Sequence, residues 1–263
     1  MPDRLFAGST VLAVFAHPDD ESLACGGTLA RLADSGARVV LICASRGDRG
    51  PAGDPAPARP ELGRARAQEL RAAAAVLGVA DLLILGHPDG NLRWAEVAPF
   101  HAELMIALRR FRPDAVLTFG DDGLYWHADH IGVHERTVTA IRSLGAGAPP
   151  LYCVTMPRGA MKAVVEAAHA RGASPLASAF WGINPDAFGV SAEPPAFTVD
   201  VRPWIARKLA ALRCHRTQFG PHNPLAWIDE DDARRWLGDE QFRRMEPAAT
   251  SLLDGIGRPA HVD

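Results

Sequence analysis

Hydrophobic positions along this chain gather into short unbroken runs, separated by longer stretches with helical periodicity. Val11–Ala16 is the first run. It shows no polar alternation, which predicts a parallel strand covered on both faces. Arg38–Ala44, Asp81–Leu85, Ala115–Phe119 and Leu151–Thr155 predict four further strands. Between them, Ser22–Ser35, Glu61–Leu77, Ala95–Phe111 and Asp129–Ser143 predict helices. Gly36 and Gly78 are placed to end the first two, and Pro113 stops the third. The alternation predicts a Rossmann-like, doubly wound α/β fold, with a mostly parallel sheet and right-handed crossovers.

The pattern loses regularity after residue 155. Met161–Arg171, Trp204–Arg213 and Asp231–Leu237 predict helices, and Phe197–Val201 a short strand. Ser174–Pro195 reads as loop and carries the aromatic pair Phe180-Trp181. The expected organisation is one domain over 1–263. Residues 1–155 form its core, and 156–263 form an irregular cap or rim around the site.

Composition narrows the function classes. Hydrophobic residues make up 48% of 263 positions, enough for a full core and too many for a disordered chain. The net charge is −3 without a long run of one sign, which argues against nucleic acid or an anionic membrane as the main partner. MPDRLFAGST lacks a basic segment leading into an apolar one, and no apolar run approaches the roughly 18 residues of a membrane span. Cys25, Cys43, Cys153 and Cys214 are scattered and form no CxxC pair. The expectation is a cytoplasmic protein with reduced thiols, acting on a small molecule. A homo-oligomer is compatible with all of this.

Two polar clusters interrupt the pattern. The first strand stops on His17-Pro18-Asp19-Asp20-Glu21, and the fourth is followed by His127-Ala128-Asp129-His130. In the strand order 3-2-1-4-5, strands one and four are neighbours at the switch point, where ligands bind beyond the carboxyl ends. The topology therefore brings both clusters to one crevice. Asp89, after strand three, and Arg46, Asp48 and Arg49, after strand two, should line its rim. Imidazole and carboxylate groups are those needed to hold a zinc ion and to deprotonate water beside it. A catalytic zinc takes three protein ligands, so His17, Asp19, Asp20, His127, Asp129 and His130 must divide roles. Two histidines and one carboxylate on the metal, with another carboxylate against water, is the economical scheme. His127 faces either the metal or the substrate, and as a cation it would stabilise an oxyanion. A mixed nitrogen and oxygen set also accepts Fe2+ or Co2+.

HPDDE after the first strand and HxDH after the fourth resemble the LmbE-like/PIG-L zinc de-N-acetylases. Those enzymes remove acetyl from N-acetylglucosaminyl compounds, including precursors of low-molecular-weight thiols. Arg66 in RAQELRAAAAVLGV, Pro88–Gly90 and KLAALRCHRTQ at Lys208–Gln218 extend the likeness over about residues 10 to 220. The resemblance implies that His17, Asp20 and His130 bind Zn2+ and that Asp19 is the general base. It implies that His127 stabilises the oxyanion and that Asp129 orients a histidine by hydrogen bonding. Arg66 and Asp89 would hold sugar hydroxyls or assist the oxyanion. The expected activity is hydrolysis of the acetamide of an N-acetylated amino sugar. An amidase acting on a thiol S-conjugate is the alternative enzyme. A sugar-binding module without catalysis is the alternative outside enzymes, and the intact Asp19 argues against it. Asp48 stands where the resemblance leads one to expect glutamate, in a loop continuing into PAGDPAPARP. Among the remaining histidines, His87 and His101 read as surface or packing residues and His134 as solvated or supporting. His215 reads as a residue at the rim or behind the site, and Glu21 as helix-terminus charge or support.

Overall fold

The computed structural model describes residues 5–51, 58–174, 182–190, 194–245 and 253–259. Phe180-Trp181 and most of the proline-rich segment after Gly50 lie outside them. Five parallel strands form the centre: β1 (Thr10–Phe15), β2 (Arg38–Cys43), β3 (Asp81–Ile84), β4 (Ala115–Phe119) and β5 (Leu151–Thr155). Val11–Phe15 are wholly buried, as an unbroken apolar run on a doubly covered sheet requires. β1 pairs with β2 from Thr10↔Arg38 and with β4 from Val11↔Ala115, so the carboxyl ends of β1 and β4 lie side by side.

The C-terminal third departs from the expected cap. β6 (Phe197–Asp200), β7 (Asp239–Arg244) and β8 (Arg258–Pro259) continue the same sheet by antiparallel pairing. The full order is β3-β2-β1-β4-β5-β7-β6-β8. β7, sequence DEQFRR, has no hydrophobic run to betray it, yet Glu240, Phe242 and Arg243 are buried.

Among the described residues the helices are α1 (Asp20–Asp34), α2 (Arg59–Leu77), α3 (Val97–Phe111), the single turn α4 (Gly123–Trp126), α5 (Ala128–Arg142), α6 (Ala160–Ala170), α7 (Ile205–Cys214) and α8 (Glu230–Trp236). Among the described residues, none is long and apolar enough to cross a membrane. α1 starts at Asp20, two residues before the expected Ser22, because Asp20 and Glu21 complement the positive end of the helix. It packs on α2 and α7.

α1 breaks at Cys25 (φ −150, ψ 26). Beyond the break, the amides of Gly27 and Thr28 donate to Glu240 of β7 at 2.9 and 2.7 Å. Lys208 of α7 donates to the same carboxylate at 2.6 Å, with both side chains 2% exposed. Removing one partner of such a buried pair strands the other charge. Glu240→Gln should therefore cost about 3 kcal/mol of unfolding free energy, read by urea denaturation.

Candidate metal and catalytic centre

Phe15 ends β1, and the chain turns through His17 into α1. His130 lies on the first turn of α5 and reaches the same point from β4. His17 Nδ1 is 3.3 Å from His130 Nε2 and 3.4 Å from Asp20 Oδ2, and His130 Nε2 is 3.1 Å from Asp20 Oδ1. All three residues are buried.

Hydrogen bonds on the far edges of the rings set the tautomers. His130 Nδ1 donates to the carbonyl of Gly123 at 3.0 Å, which leaves Nε2 as a lone pair. His17 Nε2 faces Asp129 Oδ2 at 3.2 Å and Asp89 Oδ1 at 3.1 Å, so it carries the proton and Nδ1 is the lone pair. Two imidazole lone pairs and a carboxylate thus point at one another. Ligands of a tetrahedral ion with bonds near 2.0–2.1 Å sit roughly 3.3–3.4 Å apart. The triangle fits that spacing, and opposed lone pairs at this distance call for a positive charge between them. Other sets overlap it: ligand atoms of His17, His127 and His130, and those of His17, Asp89 and Asp129, each lie within 4.8 Å of one another.

The electrostatics agree. Burial opposes charge on His17, but the hydrogen bonds its ring gives to the carboxylates of Asp129, Asp20 and Asp89 outweigh it and hold its pKa well above the usual imidazole value. Burial likewise works against ionised Asp20, yet His130 and His17 hold its carboxyl well below the usual range. The centre is built to stabilise positive charge.

Asp19 stands beside it, with a side chain 17% exposed. Its backbone adopts φ 122, a conformation L residues rarely take and one that favours glycine. Strain of this kind persists only where the surroundings impose it. Here the Asp19 amide donates to Glu21 Oε2 at 3.1 Å. Glu21 Oε1 in turn takes His215 Nε2 at 2.9 Å and the Ser22 hydroxyl at 2.5 Å. Burial pushes the Asp19 pKa up to about 7, against the opposing pull of Arg66. Arg66 donates to Asp19 Oδ2 at 3.2 Å and to the carbonyls of Gly47 and Pro18 at 2.7 Å each.

His127 caps α5, its Nδ1 accepting from the Asp129 amide at 3.2 Å. The proton of the neutral ring is therefore on Nε2. Burial first, then His130 and His17, pull its pKa down to about 3. His127 is a neutral donor, not the cation the sequence allowed. Its ring centroid lies 4.5 Å from that of His130 and 5.1 Å from that of His17.

The structure brings His17, Asp19, Asp20, His127, Asp129 and His130 to one place. Arg66 and Asp89 arrive too, but turned inward. Arg66 is 3% exposed, and its guanidinium is taken by Asp19 and two carbonyls. Asp89 is 6% exposed, one oxygen on His17 and the other accepting from the Arg49 amide at 2.5 Å. Asp129 also accepts from the amides of Gly90 and Leu92, at 2.7 and 2.8 Å. His134 is buried, not solvated, and donates from Nδ1 to the Phe119 carbonyl at 2.8 Å. His87 packs on Phe100 and pairs with Glu103 at 2.6 Å. The Glu21–His215 pair had no signal in the sequence as a unit, its members lying 194 residues apart.

Comparison with known proteins gives a consistent picture. The family model for PIG-L, GlcNAc-PI de-N-acetylase, matches residues 12–141. A 1D-myo-inositol 2-acetamido-2-deoxy-α-D-glucopyranoside deacetylase of Acidothermus cellulolyticus is 31% identical over 94% of this chain and 92% of its own length. Its namesake in Thermobispora bispora is 33% identical over 90% and 88%. Among solved structures, the N,N'-diacetylchitobiose deacetylase of Pyrococcus horikoshii superposes with a TM-score of 0.59 at 23% identity, covering 90% of this chain and 84% of that one. A 4-carboxy-2-hydroxymuconate hydratase of Pseudomonas putida superposes with a TM-score of 0.67 at 20% identity over 92% and 98%. The fold thus serves more than one chemistry, and the fold alone does not decide the reaction.

Proposed function

The chain belongs to the PIG-L family of de-N-acetylases, and from that premise we propose that His17, Asp20 and His130 hold a zinc ion on which deacetylation depends. The protein is a hydrolase that removes the acetyl group from an N-acetylglucosamine-type substrate. The observation that carries the site assignment is the 3.1–3.4 Å triangle of His17, Asp20 and His130 with Asp19 beside it. The nitrogen and oxygen donors suit Zn2+, with Fe2+ and Co2+ as alternatives. Bound there, such an ion would supply Lewis acidity to polarise the amide carbonyl and lower the pKa of water.

The chain's own residues do the rest. Arg66 occupies Asp19 Oδ2, leaving Oδ1 to take a proton from the attacking water and return it to the leaving amine. Glu21 and His215 hold the strained Asp19 backbone that aims this carboxylate. The Nε2–H of His127 donates to the oxyanion as the carbonyl oxygen gains charge. Asp129 and Asp89 fix the His17 tautomer, and Arg66 positions Asp19. Four free cysteines support a reducing, cytoplasmic setting.

The reading is tested by acetate release from N-acetylglucosaminides by the purified, metal-loaded protein. No release from any of them would remove it. His127→Ala should lower kcat by about 10²–10³-fold with metal content unchanged, the usual cost of one oxyanion donor. Metal loss in that variant would instead make His127 a ligand.

Arg66→Met should move the acid limb of the pH–kcat/KM profile. The base works deprotonated, and the Arg66 cation lowers its pKa. Removing that cation therefore shifts the limb to higher pH, and an unmoved limb would detach Arg66 from the base.

A further inference from the structure

The left-handed region of backbone space disfavours every residue but glycine. Asp19, Arg112, Leu124 and Trp126 adopt it, at φ 122, 44, 71 and 68. For the first three the fold supplies the reason. Glu21 holds Asp19 through its amide. Arg112 closes α3, its amide donating to the Leu108 carbonyl at 2.9 Å. Leu124 is buried, and its amide donates to Asp122 Oδ1 at 3.1 Å. Trp126 has no such reason. It is 59% exposed, and among the described residues its indole has neither a hydrogen bond nor a stacked ring. Its amide donates to the Asp122 carbonyl at 2.6 Å, but glycine would make that bond equally well. Folding would thus be served better by glycine at this position. Strain left uncompensated by the fold points to function.

The position supplies one. Trp126 is joined directly to His127, the oxyanion donor, and consecutive Cα atoms lie only about 3.8 Å apart. The two neighbours on either side face inward. Tyr125 packs on His130 and Phe188, with ring centroids 5.2 and 4.7 Å away, and His127 stands over His17 and His130. Trp126 alone of this segment faces solvent. The turn that carries it is firm, because the Gly123 carbonyl accepts from His130 and a Cβ on Gly123 would meet Ile131 Cγ1 at 2.9 Å. Elsewhere, Trp204, Trp227 and Trp236 are half-buried against apolar neighbours.

We propose that Trp126 is a specificity-determining residue of the deacetylase, an aromatic platform on which the ring linked to the amino sugar stacks. This role rests on the deacetylase reading above and adds to it the residue that reads the group beyond the acetamide. With the acetamide at the metal centre and its oxygen at His127, an indole on the next residue borders the solvent side of the same substrate. The face of an indole suits an uncharged six-membered ring, either the C–H face of a saturated one or the π face of an aromatic one. Trp is also the side chain that contributes most contact for least lost freedom at a binding surface.

The test uses three α-glycosides of N-acetylglucosamine on the metal-loaded enzyme: methyl, cyclohexyl and phenyl. Wild type should favour at least one ring-bearing compound over the methyl glycoside by about tenfold in kcat/KM. The gain should lie in KM and not in kcat, because the stacked ring takes no part in the chemistry. The arm with the larger preference identifies a saturated or an aromatic partner. Trp126→Gly should bring the ratio of ring-bearing to methyl kcat/KM close to one with metal content unchanged, and Trp126→Phe, which keeps an aromatic face, should retain most of it. Trp94→Ser removes another exposed indole, on a loop held by Arg136 beyond the first turn of α5, and should leave the ratio as in wild type. Glycine takes φ 68 without strain, so Trp126→Gly should melt no more than about 5 °C below wild type. A wild-type ratio near one, a preference that survives in Trp126→Gly, or a larger fall in its melting temperature overturns the proposal. Calorimetric titration separates this from failure of the deacetylase reading. If no glycoside is hydrolysed, tighter binding of a ring-bearing compound than of the methyl glycoside, lost in Trp126→Gly, still supports the platform, and equal or absent binding removes it.

Discussion

Asp19→Asn should lower turnover by about 10³–10⁴-fold, near the upper end of what a general base contributes, with the metal retained in full. Asparagine keeps the size of the side chain and an oxygen for Arg66, but it cannot take a proton from water. A base acts best with a pKa near the working pH, and burial places that of Asp19 at about 7. The same shift predicts the effect on stability in the metal-free protein. The folded value lies above the unfolded one, so the native state holds the extra proton between the usual carboxylate pKa and about 7. Stability is lost as pH rises through that window. Asparagine does not titrate, so the variant should melt at or above the wild-type temperature at neutral pH. Acetate release, metal analysis and a melting curve together decide the matter. Activity within tenfold of wild type would end the assignment of Asp19 as base, and a lowered melting temperature would point to a structural role.

The sequence revealed the parts of this molecule whose reasons are local. Unbroken apolar runs marked β1 to β5, because a strand buried on both faces has no polar positions to confuse it. The switch-point rule then places His17 and His130 together from the strand order alone. β7 stayed hidden because its buried positions are Glu240, Phe242 and Arg243, and two of those carry charges that only distant partners can satisfy. Glu240 finds its partners in α1 and α7. The support of Asp19 by Glu21 and His215 was hidden for the same reason. Arg66 and Asp89 were found, but which way they faced was not legible. Their direction depends on backbone carbonyls and amides, and those groups leave no trace in residue identity.

Removal of the metal should be the other large effect, and it separates ligands from neighbours. Chelation should abolish acetate release, and restoring zinc should recover it. An ion that binds only the folded chain stabilises it by about 2.7 kcal/mol when present at a hundred times its dissociation constant. For a domain of this size, chelation should then lower the melting temperature by about 5–10 °C. His17→Gln and His130→Gln should melt without that chelator-dependent step and should carry no metal. Glutamine is preferable to alanine at position 130, because the ring stacks on Phe119 with centroids 4.0 Å apart and alanine would leave a cavity. Asp19→Asn should keep the full step, since it leaves every proposed ligand in place. pH gives an independent reading. The carboxylates around His17 favour its protonated form, so proton and metal compete for Nδ1. Metal affinity should therefore fall as the solution is acidified, and Asp129→Asn, which removes part of that support for the proton, should change the slope of the fall. A metal content in His17→Gln or His130→Gln equal to that of wild type would exclude these side chains as ligands, and the convergence of HPDDE and HADH would then need another cause.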